Sequence, residues 1–501
     1  MSIDNRNNRI NKEDVASNFL WRFMERCGAQ GVSFIVSLVL ARLIAPEAYG
    51  TIALVTVFTR ILEVFVDSGM ANALIQKKEA DELDFSTVFF FNTFICVFIY
   101  VCLFALAPWI ALFYERPDLT KIIRVLSLTL VISGVRNVQQ AYVSKTMQFK
   151  RFFFATIGGT VASAVIGIVM AYFDFGVWAL VAQQLVNTGI GTLILWFAVK
   201  WRPKRIFSIE RLKSLFSYGW KLLISALLER GYNELRSLII GKMYSPIDLA
   251  YYNRGNQFPN VIVTNINTSI DSVLFPTMSA EQYHKDRVCA MTRRAIKTSS
   301  YIMMPIMVGL AVCAEPIVSL ILTDNWLPCV PYLRIFCFTY AFYPIHTANL
   351  NAIKAMGRSD IFLRLEVIKK IIGLIVLSIS MWFGVLWMAY SLLLTTLLSS
   401  IINAFPNRHL LGYSYITQIK DMLPQIVLSC VMGGIVYCIQ FLGFERSITL
   451  FVQILSGAFI YIIGSWIFKL ESFSYIYNMI REYFEKKKTK EENLYGNRNN
   501  R

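Results

Sequence analysis

Residues 41–50 read ARLIAPEAYG, and residues 241–250 read GKMYSPIDLA. In each, a long apolar run ends on a basic residue, Arg42 or Lys242, and a proline follows four residues later, Pro46 or Pro246. Proline has no N–H to donate and sits well in a first helical turn, so each stretch reads as one helix stopping and the next starting. Two further stretches recur in order. KTMQFKRF at 145–152 is answered by KAMGRSDIF at 354–362, and FGVWA at 175–179 by FGVLWMA at 383–389. The offsets, 200 to about 209 residues, cover corresponding ends of six consecutive apolar runs. The sequence therefore predicts two copies of one six-helix unit, inserted in the same orientation as in transporters built from parallel repeats.

The apolar runs are long enough to cross a bilayer, which takes about 20 residues. The candidates are 18–43, 47–70, 87–113, 119–143, 153–173, 177–199, 214–241, 248–274, 297–322, 329–353, 361–382, 385–406, 421–442 and 447–468. The expected fold class is all-α: a polytopic membrane protein of about fourteen transmembrane helices, in two pseudo-symmetric six-helix lobes plus two C-terminal helices. The expected divisions are a tail at 1–17, an N-lobe at 18–199, a basic linker at 200–213, a C-lobe at 214–411, the last two helices at 412–468 and a basic tail at 469–501. The longest internal connection is expected at 276–296.

Composition agrees. Of 501 residues, 56% are hydrophobic and 16% charged, against about a quarter charged in soluble domains. The net charge of +17 does not indicate nucleic acid, because the basic residues collect in short loops on alternate sides of the apolar runs. Counting the tails, about thirty lie on one side and about four on the other, which is the positive-inside pattern. It predicts an inner-membrane protein with both termini in the cytoplasm. The nine cysteines form no C-x-x-C pair and read as small buried hydrophobes. The polar N-terminus, MSIDNRNNRINKED, lacks the apolar core of a signal peptide, so no cleavage is expected.

Within the apolar runs, polar residues fall on helical faces. Thr56, Arg60, Glu63 and Asp67 are spaced 4, 3 and 4 apart. Asn253, Gln257, Asn260, Thr264, Asn267 and Asp271 repeat the spacing in the matching helix of the second copy. Arg22, Arg26, Gln30, Ser33 and Ser37 line the first helix, and Arg230, Asn233 and Ser237 line the seventh. Asn137, Gln140 and Ser144 lie on the fourth, with Tyr340, Tyr343, Thr347, Asn351 and Lys354 on the tenth.

A charge at the bilayer centre costs on the order of 3 kcal/mol, so such rows must face each other or water. They imply a hydrated cavity between the lobes. Depth along the helices sets Arg22 level with Asp67 and Arg26 level with Glu63, as structural ion pairs or as cavity groups. Arg60 lies deep, with no acid at its level on the first helix, and is the leading candidate for an anionic substrate group. Arg230 and Glu234 read as an i,i+4 pair. Amides suit a hydroxylated ligand because each both donates and accepts. The carboxylates Glu63, Asp67 and Asp271 are the coupling-ion candidates.

These residues and motifs resemble the polysaccharide flippases (O-antigen and colanic-acid, Wzx-type) of the multidrug/oligosaccharidyl-lipid/polysaccharide exporter superfamily. The resemblance spans roughly 15–470 and rests on ARLIAPEAYG, the KTMQFKRF helix entry, DFGVWALVAQQL at 174–185 and AMGRS at 355–359. It implies a two-lobed transporter that moves a polyprenyl-pyrophosphate-linked oligosaccharide from the cytoplasmic to the periplasmic leaflet. It also implies a proton or sodium gradient in place of any cofactor, and a polysaccharide polymerase and assembly proteins as partners beside membrane lipid. Two rival readings compete with it. A membrane glycosyltransferase or polymerase needs sizeable outward loops and catalytic carboxylates, and neither these nor HExxH, GxSxG or P-loop patterns are present. A drug/cation antiporter on the same scaffold is opposed by the arginines of the expected cavity. No catalytic or metal-ligating residue is expected. His346, the histidine within a span, reads as a packed polar residue, with His284 and His409 in loops.

Overall fold

The computed structural model describes residues 12–66, 70–77, 80–146, 148–478 and Arg481; of residues 12–27, Asn72, Gln76, Tyr218 and Lys221 it describes the backbone. All regular structure among the described residues is helical. In chain order the first half runs α1 (Lys12–Leu43), α2 (Pro46–Val66), α3 (Met70–Gln76), α4 (Glu82–Phe113), α5 (Leu119–Leu126), α6 (Leu128–Lys145), α7 (Phe149–Tyr172), α8 (Val177–Ala198), α9 (Ile209–Met243) and α10 (Pro246–Ala280). The second runs α11 (Lys285–Val312), α12 (Ala314–Ile321), α13 (Val330–Ala341), α14 (Tyr343–Ala355), α15 (Ser359–Ser380), α16 (Val385–Leu410), α17 (Tyr415–Cys438) and α18 (Arg446–Ile467). Short 3-10 turns at Asp324–Cys329 and Ile439–Leu442 interrupt it.

Each predicted span falls on one helix or on two set end to end. Eight described helices are long and apolar enough to cross a bilayer: α2, α4, α7, α8, α11, α16, α17 with its following turn, and α18. Their outward surfaces are greasy rather than polar: Phe451, Phe459 and Trp466 on α18 and Phe197 on α8 are all more than 60% exposed. Such surface is stable only against lipid, and the chain is a multi-pass membrane protein. Two details differ from the sequence reading. The connection expected at 276–296 is helical except near 281–284, because α10 and α11 extend past the apolar runs. His409 belongs to the last turn of α16 rather than to a loop.

The repeated motifs share local geometry. Residues 41–50 and 241–250 carry the same helix–bend–helix pattern, position for position. The residues entering α7 and α15 match as well: Gln148 has φ −93° and ψ 48°, Arg358 φ −89° and ψ 58°. Gly176 and Gly384, which precede α8 and α16, both take positive φ, 54° and 114°, where a side chain would be strained. A fourth correspondence was not visible in the sequence. The fourth and tenth expected spans are both broken, at Ser127 between α5 and α6 and at Phe342 between α13 and α14.

Packing divides the chain into two compact units, Met1–Ala250 and Tyr251–Arg501. In the first, α9 joins α2, α3 and α4. The linker before it explains why. Trp201 is buried in a cluster with Phe85, Phe89 and Tyr142, and the backbone N–H groups of Lys204 and Ser208 donate to Ser86 and Thr87 at 3.1 Å each. Asp84 is fully buried at the start of α4, where it closes a capping box with Asp81 and receives Lys77 at 2.5 Å. Arg211 approaches the same carboxylate at 3.8 Å. The basic linker is thus held to the first unit by charge and aromatic packing.

At the far end of α9 the two quoted motifs touch. A methyl group on Gly50 would lie 1.7 Å from the carbonyl oxygen of Pro246, and one on Gly241 would lie 1.9 Å from Leu54. Gly50 is required by that approach. In the second unit, α11 packs along α17, and Tyr301, Met432, Val436 and Tyr461 form a core sealed by hydrogen bonds among Tyr301, Tyr461 and Ser465.

Candidate functional site: polar rows on the spanning helices

In the first unit the row on α2 is mixed in burial. Thr56 is buried, its hydroxyl returned to Ala53 of its own helix at 2.9 Å. Arg60, one turn on, is 56% exposed on its side chain, and Glu234 of α9 faces it at 3.7 Å. Glu234 is itself buried. The acid expected to neutralise Arg230 within α9 instead meets Arg60 across the helix pair, and Arg230 and Asn233 are exposed. An exposed guanidinium partway along an apolar helix is tolerated only where water reaches it. Arg60, Arg230 and Asn233 are thus exposed polar groups on these helices, and Glu63 is half-buried on the α2 row.

Gln30 on α1 is exposed, and Gln140 on α6 is half-buried. Asn137 has turned inward: its Nδ2 donates at 2.7 Å to the carbonyl of Val66, the last residue of α2. That bond ties α6 to α2. Asp67 and the side chains of Arg22 and Arg26 lie outside the described residues, and with them the two level pairs.

In the second unit the row on α10 is amide and hydroxyl. Asn253 and Gln257 are half-buried, and Gln257 accepts from Arg254 at 2.7 Å. Asn260 is exposed and accepts from Thr264 at 3.3 Å. Asn267 is half-buried, with its Oδ1 shut away from any hydrogen-bond partner, and Asp271 is exposed and accepts from the buried Asn351. Tyr340 reaches the same helix, donating to Asn256 at 2.7 Å.

Two features escaped the sequence reading. Arg254, one residue off the row, is buried with its guanidinium 4.9 Å from the centre of the Trp326 ring. Its signal, an arginine beside an amide row, was present but ambiguous in direction. Farther along, Asn349, Asn407 and Gln418 join α14, α16 and α17 through a buried amide cluster, and His346 pairs with Asn403 at 3.0 Å. Hydrogen bonds of this kind hold membrane helices together where no hydrophobic drive exists between them. Among the described residues no group of His, Cys, Asp and Glu is placed to hold a metal ion.

Long helices with greasy outer faces define a class, the polytopic membrane proteins. The fold agrees: the chain superimposes on a lipid II flippase MurJ, captured in an inward closed conformation, with a TM-score of 0.75 at 15% identity, over 90% of this chain and 98% of that one. A family model described as polysaccharide biosynthesis protein matches residues 39–331, and the chain belongs to that family. Among curated relatives it is 23% identical over 433 residues to the lipopolysaccharide biosynthesis protein WzxC of Escherichia coli (strain K12), covering 84% of this chain and 88% of that one. It is 21% identical over 352 residues to the succinoglycan biosynthesis transport protein ExoT of Rhizobium meliloti (strain 1021), covering 70% and 71%.

Proposed function

We propose that this protein is a flippase that carries a polyprenyl-pyrophosphate-linked oligosaccharide from the cytoplasmic to the periplasmic leaflet of a bacterial inner membrane, for surface polysaccharide assembly. The observation that carries the reading is the pairing of two chemistries on membrane helices. An exposed arginine on α2 suits a phosphate, and a run of amides and hydroxyls on α10 suits sugar hydroxyls. Family membership and the names of the relatives support it.

The carrier works by alternating access, presenting its polar faces first to one side and then to the other. It crosses the membrane fourteen times with both termini in the cytoplasm, a topology supported by the lysine- and arginine-rich loops. A proton or sodium ion drives it through Glu63, Asp67 or Asp271, and the product passes to a polymerase and its assembly partners. The test is a deletion strain. It should lose surface polysaccharide and accumulate lipid-linked oligosaccharide that stays inaccessible from the periplasm, with drug tolerance unchanged. Drug sensitivity with normal polysaccharide would overturn the reading in favour of an antiporter.

A further inference from the structure

A pocket of about 300 Å³ opens on the second unit at the basic-loop end of α11, and no step of the proposed transport uses it. One wall is the α11 face bearing Arg293, Arg294 and Lys297; the other is the segment after α18, with Glu471, Ser472 and Tyr475. The three cations lie at the start of the span expected at 297–322, where the basic loop meets the apolar run and lipid headgroups are found.

The charges are unevenly held. Arg293 forks onto Asp421 of α17 at 2.8 and 2.7 Å, and Asp421 also accepts from Tyr413 at 2.8 Å. With its side chain 7% exposed, Asp421 is a fixed anchor. Lys297 reaches Asp421 at 3.4 Å and Glu471 at 2.6 Å, but the Glu471 side chain is 81% exposed. The ammonium of Lys297 holds that carboxyl below its ordinary value, so Glu471 is an anion in place. Arg294 has no carboxylate within ion-pair reach among the described residues; its guanidinium lies 5.0 Å from the centre of the Tyr475 ring. Ser472 is buried and accepts from Gln425 at 3.4 Å, which leaves its own O–H to donate.

Three cations thus face two carboxylates, one of which is a solvent-exposed partner of the kind that contributes little and exchanges readily. We infer that this pocket binds the phosphate headgroup of an anionic membrane lipid, which displaces Glu471 from Lys297 and takes Arg294 as its second cation and Ser472 as a neutral donor. Basic pockets between membrane helices on the side where basic loops collect are suited to such headgroups. The inference stands independently of the transported substrate.

The experiment uses the full chain in nanodiscs of phosphatidylcholine doped with phosphatidylglycerol, reading lipid retention by native mass spectrometry and Tm in parallel. The expected result is selective retention of phosphatidylglycerol over phosphatidylcholine, with a higher Tm. Arg294→Gln breaks no ion pair among the described residues and should leave Tm in pure phosphatidylcholine unchanged while weakening phosphatidylglycerol retention roughly five-fold, the equivalent of one near-surface cation. Arg294→Gln with Lys297→Gln should abolish the selectivity. Equal retention of the two lipids, or undiminished selectivity in Arg294→Gln, would overturn the site. Inorganic pyrophosphate provides the last arm. Arginine-dependent binding of pyrophosphate with no phosphatidylglycerol retention would assign the pocket to a soluble phosphate and refute the lipid.

Discussion

Helices α2 and α10 open alike, on a proline after the same bend, and then diverge in chemistry. α2 is apolar enough to span on hydropathy alone, with Arg60 and Glu63 its only charges beyond the first-turn Glu47. α10 carries so many amides and hydroxyls that it does not meet the same criterion, though at 35 residues it is the longer helix. The two helices share backbone geometry at their openings and differ in side chains, one carrying charge and the other neutral hydrogen-bonding groups. A ligand with a charged link and a hydroxylated chain calls for both.

The severest way to break the comparison is at the shared opening. Gly50→Leu forces a side chain into the carbonyl of Pro246, where even a single methyl group has no room. Overpacking of this kind costs about 1–3 kcal/mol or more, so the variant should show a lowered Tm and no surface polysaccharide. A fully stable, active Gly50→Leu would mean that the two proline turns do not abut.

Arg60→Ala should come next. Hydrogen bonds to charged groups contribute about 1.5–3 kcal/mol, so export should fall by ten-fold or more while membrane insertion holds; Tm should fall too, because Glu234 is left buried without its cation, and Arg60→Ala with Glu234→Gln should restore Tm but not export. Arg60→Lys should recover only part of that, because an ammonium cannot fork onto a phosphate. Unimpaired export by Arg60→Ala would remove the charged half of the contrast.

Asn137→Ala should show the opposite pattern. It leaves the Val66 carbonyl without its donor, at a cost of about 1–3 kcal/mol of stability, with substrate affinity unchanged. Loss of affinity without loss of Tm would return Asn137 to the substrate face. The smallest effect is expected on α10, where Asn260→Ala deletes one neutral contact among many. Roughly 0.5–1.5 kcal/mol, a few-fold in oligosaccharide affinity measured in nanodiscs, is the expected scale, and Asn267→Ala should add to it.

Much of the fold was legible because membrane helices announce themselves locally. The turns at Pro46 and Pro246 were read correctly because proline acts on its own backbone, whereas the positive φ of Gly176 and Gly384 went unread inside the matched stretches. The broken pairs α5–α6 and α13–α14 were missed, since neither Ser127 nor Phe342 is a breaker by type. The site was legible by face and not by partner. Asn137 sits on the predicted row yet serves α2, and Arg254 lies off its row yet is buried against Trp326.

Hydropathy, helical periodicity and the repeated proline turns were enough to read a polytopic helical chain with polar rows and a recurring helix–bend–helix turn, because each depends on residues within a few turns of one another. That Glu234 answers Arg60 rather than Arg230, that the linker docks through Trp201, and that Gly50 abuts Pro246 were decided by tertiary packing alone. An ion pair or close contact between distant segments depends on which helices lie side by side, and no local pattern records that.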